Sequence, residues 1–138
     1  MLAALQAKLG GIDQGVFKAG TCLSGGVVGR GETCGALTGG LMAIGSEVGR
    51  ERLEDVEQLR KARVPGTEMY LRFKEEVGDT LCAEIHKIKF GRTYHLYDPA
   101  DLKAFHAAGG HGPDGCPTVC RSAARIAADI ILRLQGNA

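Results

Sequence analysis

Glycine and cysteine share one stretch, Gly29 to Val48, and no other segment limits the fold as strongly. It reads Gly-Arg-Gly-Glu-Thr-Cys-Gly-Ala-Leu-Thr-Gly-Gly-Leu-Met-Ala-Ile-Gly-Ser-Glu-Val, with Cys34 followed by glycines 35, 39, 40 and 45 among aliphatic residues. Each glycine inside a helix costs about 0.5–1 kcal/mol relative to alanine. A surface helix gains nothing for that cost. A helix whose backbone is approached closely by a neighbouring helix, or by a cofactor, does gain. The stretch therefore predicts a Gly-rich central helix from about Glu32 to Val48, closed by Gly49. Cys34 stands near its start, where unpaired N–H groups favour a thiolate or another anionic sulfur. Gly35 and Gly39 are the glycines expected to face a cofactor.

The rest of the composition removes whole classes of function. A chain of 138 residues is of single-domain length, 1–138, and can bury a core. Net charge is +1 with a pI near 7.7, which gives no electrostatic footprint for nucleic acid or an anionic membrane. Aromatics make up 5% with no tryptophan, too few for a base-stacking platform. No apolar run approaches the ~20 residues that span a bilayer, and the N-terminus lacks the pattern of a signal peptide. Five cysteines is an odd number with no secreted disulfide spacing, so a cytoplasmic protein with reduced or metal-bound thiols is expected. The abrupt start, Met1-Leu-Ala-Ala-Leu, leaves open a segment ahead of residue 1.

Along the chain every periodic segment has helical spacing. A short helix is expected over 2–9, ended by Gly10-Gly11, and a second after Asp13 carries Val16, Phe17, Cys22 and Leu23 to the break at Gly25-Gly26. Arg50 to Arg63 predicts a solvated helix with Leu53, Val56 and Leu59 underneath. Pro65-Gly66 predicts a turn, and Thr67 a new helix with Met69, Tyr70, Phe73 and Val77 inside, closed by Gly78. Asp79 is the expected cap of a helix that has Cys82 about three residues in and runs through Ile85 and Ile88 to Phe90-Gly91. Arg92 to Tyr97 is loop, and Asp98-Pro99 opens a helix with Leu102 and Phe105. The last helix, capped at Cys116-Pro117, is the most regular: Val119, Ala123, Ile126, Ala127, Ile130, Ile131 and Leu134 form one face. The fold class is all-α, a compact bundle of about five to seven helices.

Three helix starts thus carry cysteine: Cys34, Cys82, and Cys116 with Cys120 one turn on. Any one of them alone reads as core filling. Together they read as converging helix N-termini, whose dipoles and N–H groups suit the charge of an iron–sulfur cluster. Cys116 and Cys120 share a helical face, but no Cys-x2-Cys zinc ribbon, thioredoxin pair or Cys-x-x-Cys-His haem motif is present. Cys22 is either a further ligand, a resolving thiol, or a small residue packed among glycines. His86, four residues after Cys82, is expected beside the site or at the surface; His111 is the best non-cysteine ligand, and His95 and His106 face solvent. No Ser-His-Asp arrangement appears, and no catalytic residue is assigned.

The residues also resemble a known family. Gly31 to Gly45, Gly-Glu-Thr-Cys-Gly-Ala-Leu-Thr-Gly-Gly-Leu-Met-Ala-Ile-Gly, is similar to the signature of the redox-active C_GCAxxG_C_C proteins. Phe73-Lys-Glu-Glu-Val-Gly-Asp-Thr-Leu-Cys82 and Cys116-Pro to Ala124 are similar to their later cysteine segments, so the likeness runs from about Gly25 to the end. A related helical region in split-Soret cytochromes c carries an iron–sulfur cluster. The resemblance implies metal ligation by Cys34, Cys82 and Cys116. The family's first cysteine has no counterpart here, and Cys120, or else Cys22, stands in as the fourth ligand.

Three functions follow as expectations. The first is a small redox protein holding a 2Fe-2S or 4Fe-4S cluster on Cys34, Cys82, Cys116 and Cys120, for electron transfer with a redox partner protein or for redox sensing. The second is a metal-free thiol–disulfide oxidoreductase. The third is a helical interaction module stabilised by zinc. Glycine-rich helices also pair with one another, so a homodimer belongs to the expectation.

Overall fold

The computed structural model describes residues 1–136. Among them lie seven α-helices: α1 (Leu2–Leu9), α2 (Gln14–Ala19), α3 (Gly35–Val48), α4 (Val56–Val77), α5 (Cys82–Phe90), α6 (Pro99–Ala107) and α7 (Cys116–Leu134), with a 3-10 turn over Gly20–Leu23. No strand is present among the described residues, only an isolated antiparallel bridge between Thr33 and Leu81.

The apolar stripe of α7 does what its spacing implies. Val119, Ala123, Ile126, Ala127, Ile130 and Ile131 are buried, and Leu134, past the last contact, is exposed. That stripe packs against α3 and α4, which also pack on each other, so three helices enclose the core. Leu37 and Ile44 of α3 and Met69 and Phe73 of α4 fill it, while α1 adds Leu5 from one side. The glycines of α3 admit close neighbours: a Cβ on Gly40 would overlap the Met69 methyl, and one on Gly39 the Met1 methyl. Outside the core, Arg72–Asp129, Arg133–Glu68 and Arg125–Glu76 pair α4 with α7. Such exposed pairs contribute at most about 1 kcal/mol each, so packing carries the stability.

Several boundaries differ from expectation. Arg50 to Asp55 is irregular, and a single helix starts at Val56, where the Asp55 carboxylate accepts from the Gln58 N–H at 2.9 Å. It continues through Pro65, where a turn was expected. Proline removes one backbone hydrogen bond, but Pro65 is itself buried, as are Met69 and Phe73 beyond it. That burial outweighs one lost bond. Tyr70, expected inside, is exposed, as is Ile88 of α5. α3 begins at Gly35, not Glu32, and Cys34 is its N-cap. Asp79 does not cap α5; its carboxylate accepts from the N–H groups of Thr80 and Leu81, and Leu81 takes the N-cap. Gly115 caps α7, leaving Cys116 as its first residue. Asp13 and Asp98 cap as expected, each accepting a backbone N–H.

No helix among the described residues is long and apolar enough to cross a membrane.

Candidate functional site

The chain before α3 and the chain before α5 are tied together by their main chains. The Cys34 N–H donates to the Thr80 carbonyl at 2.8 Å, the Cys82 N–H to Glu32 at 2.8 Å and the Ala83 N–H to Gly31 at 2.9 Å. The two helix starts are thereby fixed side by side, Cys34 as the N-cap of one and Cys82 as the first residue of the other. The segment feeding this bridge is unusual. Gly25, Gly26, Val27, Val28 and Gly29 all have positive φ (64°, 69°, 58°, 47° and 77°), a run of five left-handed residues. Left-handed backbone costs roughly 1–2 kcal/mol per non-glycine residue, so Val27 and Val28 are strained. At Gly26 the reason for glycine is also spatial. A Cβ there would lie 2.6 Å from the Cys82 Cβ and 2.5 Å from the Glu32 carbonyl oxygen.

The α7 end is positioned by a second glycine loop. The Cys116 N–H donates to the Gly110 carbonyl at 2.8 Å, and Pro117 occupies the first turn, where no N–H is needed. Cys120 follows one turn later. A single cavity of about 1000 Å³ is lined by Cys34, Cys82, Cys116 and Cys120 together, with Gly35, Ile85, His86, Phe105 and His111 among its other walls. Chain segments up to 86 residues apart (Cys34 to Cys120) thus bring four sulfurs to one place. Gly35 belongs to that wall, and a Cβ on it would press on the Leu23 carbonyl. Gly39 faces Met1 and Leu2 of the N-terminal helix region instead. Cys22 is exposed on the 3-10 turn, not packed among glycines, and all five cysteines are free thiols.

The sulfurs influence one another electrostatically. Burial pushes the Cys82 thiol up to about 12, with Cys34 and Cys116 adding like-charge repulsion. Cys116 is pushed up to about 11 by burial, then by Cys34 and Cys120, with Lys89 opposing. Burial also raises Cys34, against the lowering effect of the Ala36 and Leu37 N–H groups at the helix start. At neutral pH the thiols of Cys34, Cys82 and Cys116 therefore keep their protons. Among the described residues no three His, Cys, Asp or Glu side chains gather closely enough to hold a single metal ion.

Of the histidines, His86, expected beside the site or at the surface, is the deepest. It is 1% exposed, and its Nε2 lies 3.6 Å from the Cys82 Sγ. The i, i+4 spacing on α5 is the sequence signal for that contact; what could not be read was the aromatic wall of Phe90, Tyr94 and Phe105 that encloses the ring. His111 is exposed at the cavity edge, its ring edge-on to Phe105. His95 is exposed and bonded to Asp101, and His106 is exposed.

No curated protein and no solved structure matches this chain. A family model does, over residues 1–130, and it takes in α1 and α2 as well as the segments after Gly25. With a match over that much of its length, the chain belongs to the C_GCAxxG_C_C family, described as putative redox-active proteins.

Proposed function

We propose that the chain is a small redox protein that binds an iron–sulfur cluster through Cys34, Cys82, Cys116 and Cys120 and exchanges electrons with a partner protein. The observation that carries this is the convergence of those four sulfurs on one cavity from three helix starts. Bound there, a cluster would supply one-electron chemistry at a potential set by hydrogen bonds to sulfur and by burial. The chain's own contribution is more specific. The Ala36 and Leu37 N–H groups favour a charged sulfur at Cys34. The Gly31–Ala83 and Cys34–Thr80 hydrogen bonds fix the Cys34 and Cys82 backbones before any ligand arrives. Ile85, Phe105 and Val119 keep the surroundings apolar.

The donor set fits such a group by its chemistry. Thiolate sulfur is the usual ligand of an iron–sulfur cluster, and thiols held up by burial at Cys34, Cys82 and Cys116 need a strongly positive partner before they ionise together. Metal-free disulfide exchange has less support, because an attacking thiol needs a depressed pKa and burial drives Cys82 and Cys116 the other way.

Purification without air decides the matter. Iron and labile sulfide in stoichiometric amount, with visible absorption, are expected. Cys34→Ser, Cys82→Ser and Cys116→Ser should each abolish most of it, and Cys22→Ser should leave it intact. Colourless protein free of iron, with one reversible disulfide, would establish the oxidoreductase instead; stoichiometric zinc alone would establish the structural module.

A further inference from the structure

His86 is a buried histidine with half of its hydrogen-bonding capacity idle. Its Nε2 meets the Cys82 Sγ at 3.6 Å, within the longer reach of a hydrogen bond to sulfur, while its Nδ1 is buried with no partner among the described residues. The ring is packed by Phe105 at 4.8 Å between centroids, Tyr94 at 6.0 Å and Phe90 at 6.1 Å.

A polar atom left unpaired in such a place costs about 1–3 kcal/mol. Phenylalanine or leucine would fill the same aromatic pocket without that cost. Packing therefore does not account for histidine at this position, and the side-chain partner its Nε2 meets is the Cys82 sulfur. A metal-bound thiolate accepts hydrogen bonds and donates none. Beside it, the ring must carry a proton on Nε2 to make that contact a hydrogen bond.

We infer that His86 is a positioning residue for the redox centre: its Nε2–H donates to the Cys82 sulfur, holds that ligand in one rotamer, and raises the reduction potential. The inference rests on the cluster reading above. Its physical basis is differential: reduction adds negative charge to the cluster and its sulfurs, and a fixed donor stabilises the reduced state more than the oxidised one. The donor is shielded from water by the aromatic wall, so solvent does not replace it when it is removed.

The test compares two variants in the cluster-loaded protein by anaerobic redox titration followed by absorption. His86→Phe fills the pocket and removes the donor; His86→Gln keeps an N–H near the Nε2 position and fills the pocket poorly. A lower potential is expected for His86→Phe, shifting the oxidised-to-reduced ratio at fixed poise about tenfold toward oxidised, with His86→Gln close to the parent. A purely structural histidine predicts the reverse order, Phe tolerated and Gln disruptive. Melting of the metal-free variants reports on folding, and His86→Met serves as the donor-less variant if Phe does not fold. An unchanged potential in a donor-less variant with a full cluster overturns this inference and leaves the cluster reading standing. Parent protein without iron and sulfide overturns both.

Discussion

α3 and α7 each pass through two environments, and the two ends of the same helices are built by different means. Their middles and C-terminal halves lie in the core with α4, where Ile44, Phe73, Ile126 and Ile130 are essentially inaccessible. Their N-terminal ends line the sulfur cavity, where Cys34, Cys116 and Cys120 are only half-buried. Side-chain volume holds the first region. The second is held by main-chain hydrogen bonds between irregular segments, by glycines, and by a left-handed turn with two strained valines. A core of the first kind is stable by itself. A site of the second kind is costly by itself, and it persists because the core over-determines the helices on which it rests.

The sharpest way to break the comparison is to damage the core alone. Phe73→Ala removes a fully buried ring from α4 and should cost about 3–5 kcal/mol in denaturant unfolding. Phe73 is not among the residues that line the sulfur cavity, so, on the proposed cluster reading, the cluster content per folded molecule should stay at the parent level. A proportionate loss of cluster from the folded fraction would mean that the two regions are one cooperative site.

Alkali acts on the other region. The Cys82 thiol, ordinarily near 9, is pushed to about 12 in the folded metal-free protein. The unfolded chain releases this proton first, so folding stability falls as pH rises from about 9 towards 12 and is unaffected below. Cys82 alone contributes at most about 4 kcal/mol to this fall, and Cys116, pushed to about 11, adds to it in the same direction. Chemical denaturation of metal-free protein across that range should show the decline, and Cys82→Ala should flatten part of it. A stability that holds steady up to pH 12 in the parent would show that this end of the molecule opens without unfolding.

Legibility in the sequence divides along the same line. The core was readable because burial imposes periodicity: the stripe from Val119 to Ile131 names the inner face of α7 residue by residue. The cysteine-bearing helix starts were readable within one to three residues, since N-caps have chemical signatures. Pro65 misled, because a local rule about proline was overridden by packing from residues further along α4. The Thr33–Leu81 bridge could not be read, as a pairing between two irregular segments leaves no repeat in either. Nor could the depth of His86, which depends on Phe105 and Tyr94 arriving from other parts of the fold. Four glycines around Val27 and Val28 did signal a turn, but not that both valines would share its left-handed backbone.

Those valines offer the gentlest probe of how the sulfur end is built. Val28 has φ 47° and is 57% exposed, so its side chain contributes little packing to offset its backbone strain. Val28→Gly relieves roughly 1–2 kcal/mol of left-handed strain and gives back about 0.4–1 kcal/mol through the greater freedom of the unfolded chain. A net gain of about 0.5–1 kcal/mol is expected, read as a higher denaturant midpoint with an unchanged slope. The Val28 N–H donates to the Cys22 carbonyl at 2.9 Å and glycine keeps that donor, so the turn itself should survive. If the variant is less stable than the parent, the strain belongs to the turn and not to the valine. The side chain would then be what closes the loop over Gly26 and holds it against Cys82. The sulfur end would in that case depend on side-chain packing after all, and the contrast with the core would shrink to one of degree.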